Sequence, residues 1–393
     1  MDDTNLTPDD VTTCVCNVTV LDTVKVSVPQ KLVTDQDYIL MCGIINILSV
    51  MVSVPGCVGN ILAIKTFIRM GLKDGVTISF MFLSLSDLLY LLVLLAHSIA
   101  SGFYLTEMQT GYRIWFAIEP FGVYIFLTNA GILVYLLTVL TTTFLAVVRC
   151  ICVSMPLHFK NTFTRRRSIC VLAAFCLVSV ASYLPILVYM EMKPEFDRRV
   201  NSTRAVLWIS SRRDKIKENV WIVRDVFVTF MTQLVVSVCV IVMVRCLNTA
   251  SRFRDKFRDR SLSFSFHRNS TASPTSSIRS VTETVPTPTE TIPSPSSGGA
   301  ARPSKLSSKE LAVVSQVVLI SLAYIFCNTP KILIDVAVMF VPELTLGKLY
   351  QNLYLFVINV MELVQACNSS IAFLVYMRYN SKFKKSCGLR LAA

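Results

Sequence analysis

The chain has 393 residues, 53% of them hydrophobic and only 16% charged, with a formal net charge of +13. That balance argues against a soluble globular protein, because the apolar residues are gathered into long runs rather than spread through the chain. The positive charge does not point to nucleic acid, since Lys and Arg sit mainly beside the ends of the apolar runs, where they act as topology signals.

Residues 1–38 form a polar, acid-rich tail (Asp2, Asp3, Asp9, Asp10, Asp22, Asp35 and Asp37 against Lys25 and Lys31) with no cleavable signal-peptide pattern. The first apolar run is therefore expected to serve as an uncleaved signal anchor. A bilayer core of about 30 Å needs roughly 20 apolar helical residues, and lipid tolerates neither open sheet edges nor exposed loops. Seven stretches meet this demand, near 39–67, 77–101, 119–149, 168–190, 219–247, 311–341 and 349–377. The outer ends of the fifth and sixth are interrupted by Arg224, Asp225, Lys331 and Asp335.

The alternate loops fix the orientation. The first carries Lys65, Arg69 and Lys73, the second Lys160 and Arg165 to Arg167, and the third Arg252, Arg254, Lys256, Arg258 and Arg260. Arg378, Lys382, Lys384 and Lys385 follow the last span. The positive-inside rule then puts the N-terminus outside and the tail in the cytoplasm. Sequons at Asn5, Asn17 and Asn201 all fall outside, open to glycosylation. The loop 191–218 is basic as well, against the rule, but it carries Asn201.

The expected organisation is an extracellular tail (1–38), five transmembrane helices with their loops (39–250), a Ser/Thr/Pro-rich disordered cytoplasmic loop (251–308), two further helices (309–377) and a cytoplasmic tail (378–393). Phe253 and Phe257, four apart among alternating charges, suit a fifth helix that continues past the membrane. Tyr379, Phe383 and the neighbouring lysines suit a short amphipathic helix on the anionic inner leaflet, and Cys387 is a candidate for lipidation. The 13 cysteines form no metal-type CxxC pair and lie mostly inside apolar runs, as buried thiols would.

Ionisable and amide groups inside a span are costly unless paired or hydrated. Asn60, Asp87, Thr138, Asn368 and Ser369 stand at matching depths in the first, second, third and seventh spans. Together they would make a polar core around one carboxylate, able to take a sodium ion or a proton; singly, each would be an isolated helix-to-helix hydrogen bond. Pro330 should kink the sixth span. Arg149, at the inner end of the third span, and Glu310, at the start of the sixth, could pair as an inner latch or simply face cytosolic water.

Gly59-Asn60, Leu83 to Asp87, Arg149 with Met155-Pro156-Leu157, Phe326-Cys327-x-x-Pro330 and Asn368-Ser369-Ser370 through Tyr376 occur in the order and spacing of the rhodopsin-like (class A) G-protein-coupled receptors, which the chain resembles. Met155 to Thr164 and the Asn-Ser-Ser pattern look nearest to invertebrate FMRFamide-type neuropeptide receptors and molluscan chemosensory receptors. The resemblance implies an all-α seven-helix bundle with a short eighth helix at the plasma membrane. It also implies a heterotrimeric G protein as partner, with arrestin and a receptor kinase, an extracellular peptide or small-molecule ligand, and no catalysis. Arg149, Glu310, Pro330 and Tyr376 would form the switch. The ligand pocket would be faced by His97, Thr128, Tyr135, Lys331, Asp335, Asn359, Glu362 and Gln365, with a Lys331–Glu362 pair that either meets the ligand or is purely structural.

The departures from the family pattern are Val148 and Cys150 beside Arg149, Asn328 for the sixth-helix Trp, and Ala372-Phe373 for the seventh-helix Asn-Pro. The usual outer disulfide also lacks both partners, with a tyrosine near position 124 where the third-helix Cys would stand. A seven-helix channel or transporter is the rival class, disfavoured because the halves show no internal repeat and there is no filter motif. An enzyme is disfavoured because His97, His158 and His267 are scattered and no catalytic signature is present.

Overall fold

A computed structural model describes residues 32–111, 116–154, 164–198, 201–209, 220–269 and 308–388, with backbone alone at 197, 209, 250–269 and 308–311. Seven of its helices are long and apolar enough to cross a bilayer. They are α1 (Asp35–Met70), α2 (Gly75–Gln109), α3 (Pro120–Ser154), α4 (Arg165–Val188), α5, α6 (Ser308–Phe340) and α7 (Gln351–Tyr379). The fifth opens with a π-helical stretch, Ile222–Val228, and continues as the α-helix Thr229–Asn269. A short α8 (Ser381–Cys387) follows, and a hairpin of β1 (Met190–Asp197) and β2 (Ser202–Ile209) joins α4 to α5.

Local chemistry sets the helix ends. Thr34, Asp74 and Thr164 cap α1, α2 and α4 by accepting from backbone N–H groups of the first turn. Gly71 closes α1 with φ 82°, a conformation that favours glycine. The fifth helix runs on to Asn269, past the end of its apolar span at Thr249, the continuation that Phe253 and Phe257 suggest. Residues 270–307 lie outside the described residues.

The bundle buries many polar and small residues beside its apolar core and turns further leucine, isoleucine and valine side chains outward. Exposed Leu177, Val188, Leu374 and Phe326 face where lipid would be, while Ser53, Asn60, Ser84 and Ser369 are fully buried. Small residues bring the helices close. A Cβ on Gly56 would meet the Ser370 hydroxyl of α7 and lie 2.8 Å from Leu91 Cδ1 of α2.

At the inner end Phe383 is fully buried, so the apolar face of the short eighth helix packs on the bundle. Its ring lies 5.0 Å from Phe67 and 5.5 Å from Tyr376, which clamps α8 against α1 and α7. Asn380 caps α8 by accepting from the Phe383 amide at 3.0 Å. The side chains of Lys382, Lys384 and Lys385 remain exposed, and Cys387 is partly exposed at the end of α8.

Candidate functional site: a charged cavity beside the sixth-helix proline

A cavity of about 270 Å³ lies between α3, α5 and α6, lined by Ile132, Tyr135, Leu136, Val139, Arg224, Asp225, Thr229, Asn328 and Lys331. The two α5 residues that interrupt the apolar pattern of the span supply its charge. They fall within the π-helical stretch, whose altered pitch brings neighbouring Arg224 and Asp225 both into the interior, where each is less than a tenth exposed. Arg224 grips Asp225 with two hydrogen bonds, from Nε at 3.1 Å and from Nη2, and its guanidinium lies over the Tyr183 ring of α4 at 3.7 Å. Lys331 donates to Asp335 at 2.7 Å and stands 3.5 Å from Asp225. Two cations and two anions thus balance inside the membrane region.

The Lys331–Glu362 pair expected from helical depth is not formed. Lys331 turns toward Asp225 and Asp335, because two carboxylates on α5 and α6 lie nearer than the one on α7. Glu362 instead faces His97 of α2, with His97 Nδ1 3.2 Å from Glu362 Oε2. The eight expected pocket residues therefore divide. Tyr135 and Lys331 line the cavity, and Asp335 belongs to the ionic cluster behind it.

His97, Asn359, Glu362 and Gln365 form a second, closed group among α1, α2, α3 and α7. There Asn359 donates to the Tyr124 hydroxyl at 3.0 Å and the Tyr90 hydroxyl donates to Gln365 Oε1 at 3.1 Å. The Tyr90 and Tyr135 rings, 5.1 Å apart, connect this group to the cavity. Thr128 donates to the Tyr124 carbonyl of its own helix, so its hydroxyl is spent locally.

The expected polar core is assembled deeper in the bundle. Thr138 donates to Asp87 Oδ1 at 3.0 Å, and Asn60 donates to the Ser369 carbonyl at 2.9 Å. Asn368 is buried nearby, and the Ser369 hydroxyl neighbours Asp87 outside hydrogen-bonding geometry. Asp87, Thr138 and Ser369 are the oxygen-bearing side chains here that could face a hard cation.

Asn328, which stands where the family pattern has Trp, and Tyr324, which no sequence motif marks, both belong to this region. Tyr324 is fully buried one turn before Asn328, its hydroxyl 3.2 Å from Thr232 Oγ1, and it accepts from Asn328 Nδ2 at 3.2 Å. Gln233 of α5 donates to the Ile325 carbonyl at 3.1 Å and Thr329 donates to the same oxygen at 2.7 Å. Pro330 has no N–H to donate to the Phe326 carbonyl, so the ladder loses a bond next to the Ile325 carbonyl that these side chains engage.

Of the switch residues, Tyr376 is buried in the inner aromatic cluster, with the Phe80 ring 5.5 Å away. Arg149 is half-buried just past Val148, the last buried residue of α3, while the side chain of Glu310 lies outside the described residues, as do Asn5 and Asn17. Asn201 is exposed at the hairpin tip with φ 52°.

Seven membrane-length helices, an eighth lying against the inner end and a cavity among the third, fifth and sixth helices define a seven-helix membrane receptor architecture. The model of the family "7 transmembrane receptor (rhodopsin family)" matches residues 59–371, most of the chain. The chain belongs to that family, and it is a multi-pass membrane protein. No curated protein gives a significant match.

Proposed function

We propose that this chain binds an extracellular ligand in the α3–α5–α6 cavity at the plasma membrane and activates a heterotrimeric G protein through movement of the inner half of α6 about Pro330. The observation that carries this reading is the place of the cavity. Asn328 and Lys331, on either side of Pro330, both line it, so an occupant touches both segments of the proline-broken helix. A ligand shifts such an equilibrium only by binding one arrangement better than the other, and contact with both sides of a hinge supplies that difference.

The Asn328–Tyr324–Thr232 hydrogen bonds lead from the cavity floor into the α5–α6 interface. Further inward, the Arg149–Glu310 latch would release and open a site for the G protein, with arrestin and a receptor kinase acting on the Ser/Thr-rich loop. Asp87, Thr138 and Ser369 would hold a sodium ion that ties α2, α3 and α7 together. Asn5, Asn17 and Asn201 would carry glycans, and Cys387 with the exposed lysines of α8 would meet lipid.

The test is a second-messenger assay in cells expressing the chain with a promiscuous G protein, against amidated neuropeptides and water-borne small molecules. A dose-dependent response lost in Lys331→Ala supports the reading. Silence at confirmed surface expression, together with ligand-gated current through the reconstituted pure protein, would replace it with a channel.

A further inference from the structure

We infer that the ligand of the α3–α5–α6 cavity is a small hydroxy- or amino-carboxylic acid whose carboxylate accepts hydrogen bonds from Arg224. The inference rests on the receptor reading above and narrows its ligand from peptide or small molecule to one chemical class.

The hydrogen-bond state of the ionic cluster is lopsided. Both oxygens of Asp225 accept from Arg224, and Lys331 stands beside one of them. Asp335 accepts from Lys331. The carboxylates are thus already served by resident cations, and an ammonium ligand would have to displace Lys331 or Arg224 and meet the other. The donors are not used up. Arg224 spends Nε and Nη2 on Asp225, but its Nη1 is buried with no hydrogen-bond partner, in a side chain only 8% exposed. A guanidinium is a fixed fork of five N–H donors, always charged, and an acceptor that is itself ionised makes the strongest partner for the remaining ones.

Two further groups complete the pattern. The Tyr135 hydroxyl, on the α3 wall, neighbours Asn368 but has no partner in hydrogen-bond geometry, which leaves a second unused donor on a residue of the cavity wall. Asn328 Oδ1, on the α6 wall, is buried and unpartnered, an acceptor in need of a donor. A hydroxyl or amine next to a carboxylate supplies it. The rest of the wall is aliphatic, from Ile132, Leu136 and Val139, and fits a short hydrocarbon body. The volume of about 270 Å³ includes the space by which the cavity opens outward, so only a small molecule, and no peptide, can be enclosed in it.

The experiment uses the purified full-length receptor in lipid nanodiscs. The probes are short-chain hydroxy- and amino-carboxylic acids, each beside its primary amide and the amine lacking the carboxyl. Binding to the folded state alone raises the melting temperature with concentration. At least one acid should do so, with its amide needing roughly 30-fold more, as expected when a charge-assisted contact is replaced by a neutral one. The double variant R224Q/D225N, which removes the neutral pair together, should abolish the shift, and Tyr135→Phe should weaken it about tenfold. If the double variant does not fold, Tyr135→Phe and Asn328→Ala carry the test.

Acids and amides acting equally, amines alone acting, or shifts indifferent to these substitutions would overturn the inference. An acid that stabilises the protein without any G-protein signal upholds it and counts against the coupling proposed above. A peptide that signals while no acid binds overturns it and leaves that coupling standing.

Discussion

Arg204, on the second strand of the outer hairpin, donates through Nη1 to Glu107 Oε1 at 2.5 Å, and both side chains are almost wholly buried at the outer end of α2. The hairpin is fixed to α3 as well. Ala205 and Ile118 form a bridge, with Glu119 N donating to the Ala205 carbonyl at 2.9 Å and Ala205 N to the Ala117 carbonyl at 3.1 Å. Leu207 N donates to Glu119 Oε2 at 2.9 Å. The backbone approach is close enough that a Cβ on Gly122 would lie 2.9 Å from Leu207 Cβ. All described cysteines are free thiols, so among the described residues these contacts, and no disulfide, hold the hairpin over the bundle.

Breaking that pair from one side leaves an uncompensated buried charge, which costs about 3–5 kcal/mol, whereas replacing both partners with apolar residues of similar size is often close to neutral. Glu107→Ala should therefore lower the melting temperature of the purified receptor markedly and reduce its surface level. Glu107→Met with Arg204→Met should restore most of both. A Glu107→Ala protein that melts with the wild type would mean the hairpin is held by its backbone contacts alone.

Hydropathy and flanking charge were enough to place seven helices, because a span in lipid has to satisfy its own backbone and advertises itself by length. The hairpin left a weaker signal that went unread. Met190, Met192 and Phe196 alternate with Glu191, Lys193 and Asp197, a period of two hidden inside a basic loop. The polar core could be read from depth alone, since Asp87, Thr138, Asn60 and Ser369 are few and each has a reason to face inward. Partner choice could not. Lys331 and Glu362 lie at similar depth, but the π-helical stretch turns Asp225 toward Lys331, and no single-residue pattern announces that change of pitch.

Tyr324 and Thr232 tie α6 to α5 beneath the cavity, and Tyr324→Phe removes the hydroxyl that both Thr232 and Asn328 use. Leaving those buried groups short of a partner costs the present arrangement about 1–3 kcal/mol, and 1.4 kcal/mol is a tenfold change in an equilibrium. Basal G-protein signalling should rise several-fold at matched surface expression. Thr232→Val should do the same, and the pair should be less than additive, as for two residues sharing one bond. Full additivity would place their effects in separate contacts.

The latch proposed between Arg149 and Glu310 predicts a second, independent rise. Glu310→Ala removes the carboxylate expected to hold Arg149, and basal signalling should increase about fivefold or more if the pair contributes a coupling of roughly 1 kcal/mol. Glu310→Asp should retain part of the restraint. Unchanged basal activity in both variants would assign Glu310 to the solvated cytoplasmic face.

Asp87 offers the sharpest test of the polar core, because an ion and a structural hydrogen bond respond differently to the same substitution. Thr138 donates to Asp87, and an Asn at that position would keep an acceptor for it while losing the charge. If a sodium ion binds between Asp87, Thr138 and Ser369, the wild-type melting temperature should climb as sodium replaces a bulky organic cation at constant ionic strength, following the mass action of a ligand that binds the folded state. Asp87→Asn should remove that dependence while keeping the fold. A variant that stays as sodium-sensitive as the wild type would show that the ion, where it acts, sits elsewhere. A wild type indifferent to sodium would leave Asp87 as a helix-to-helix tether, and Asp87→Asn would then alter stability alone.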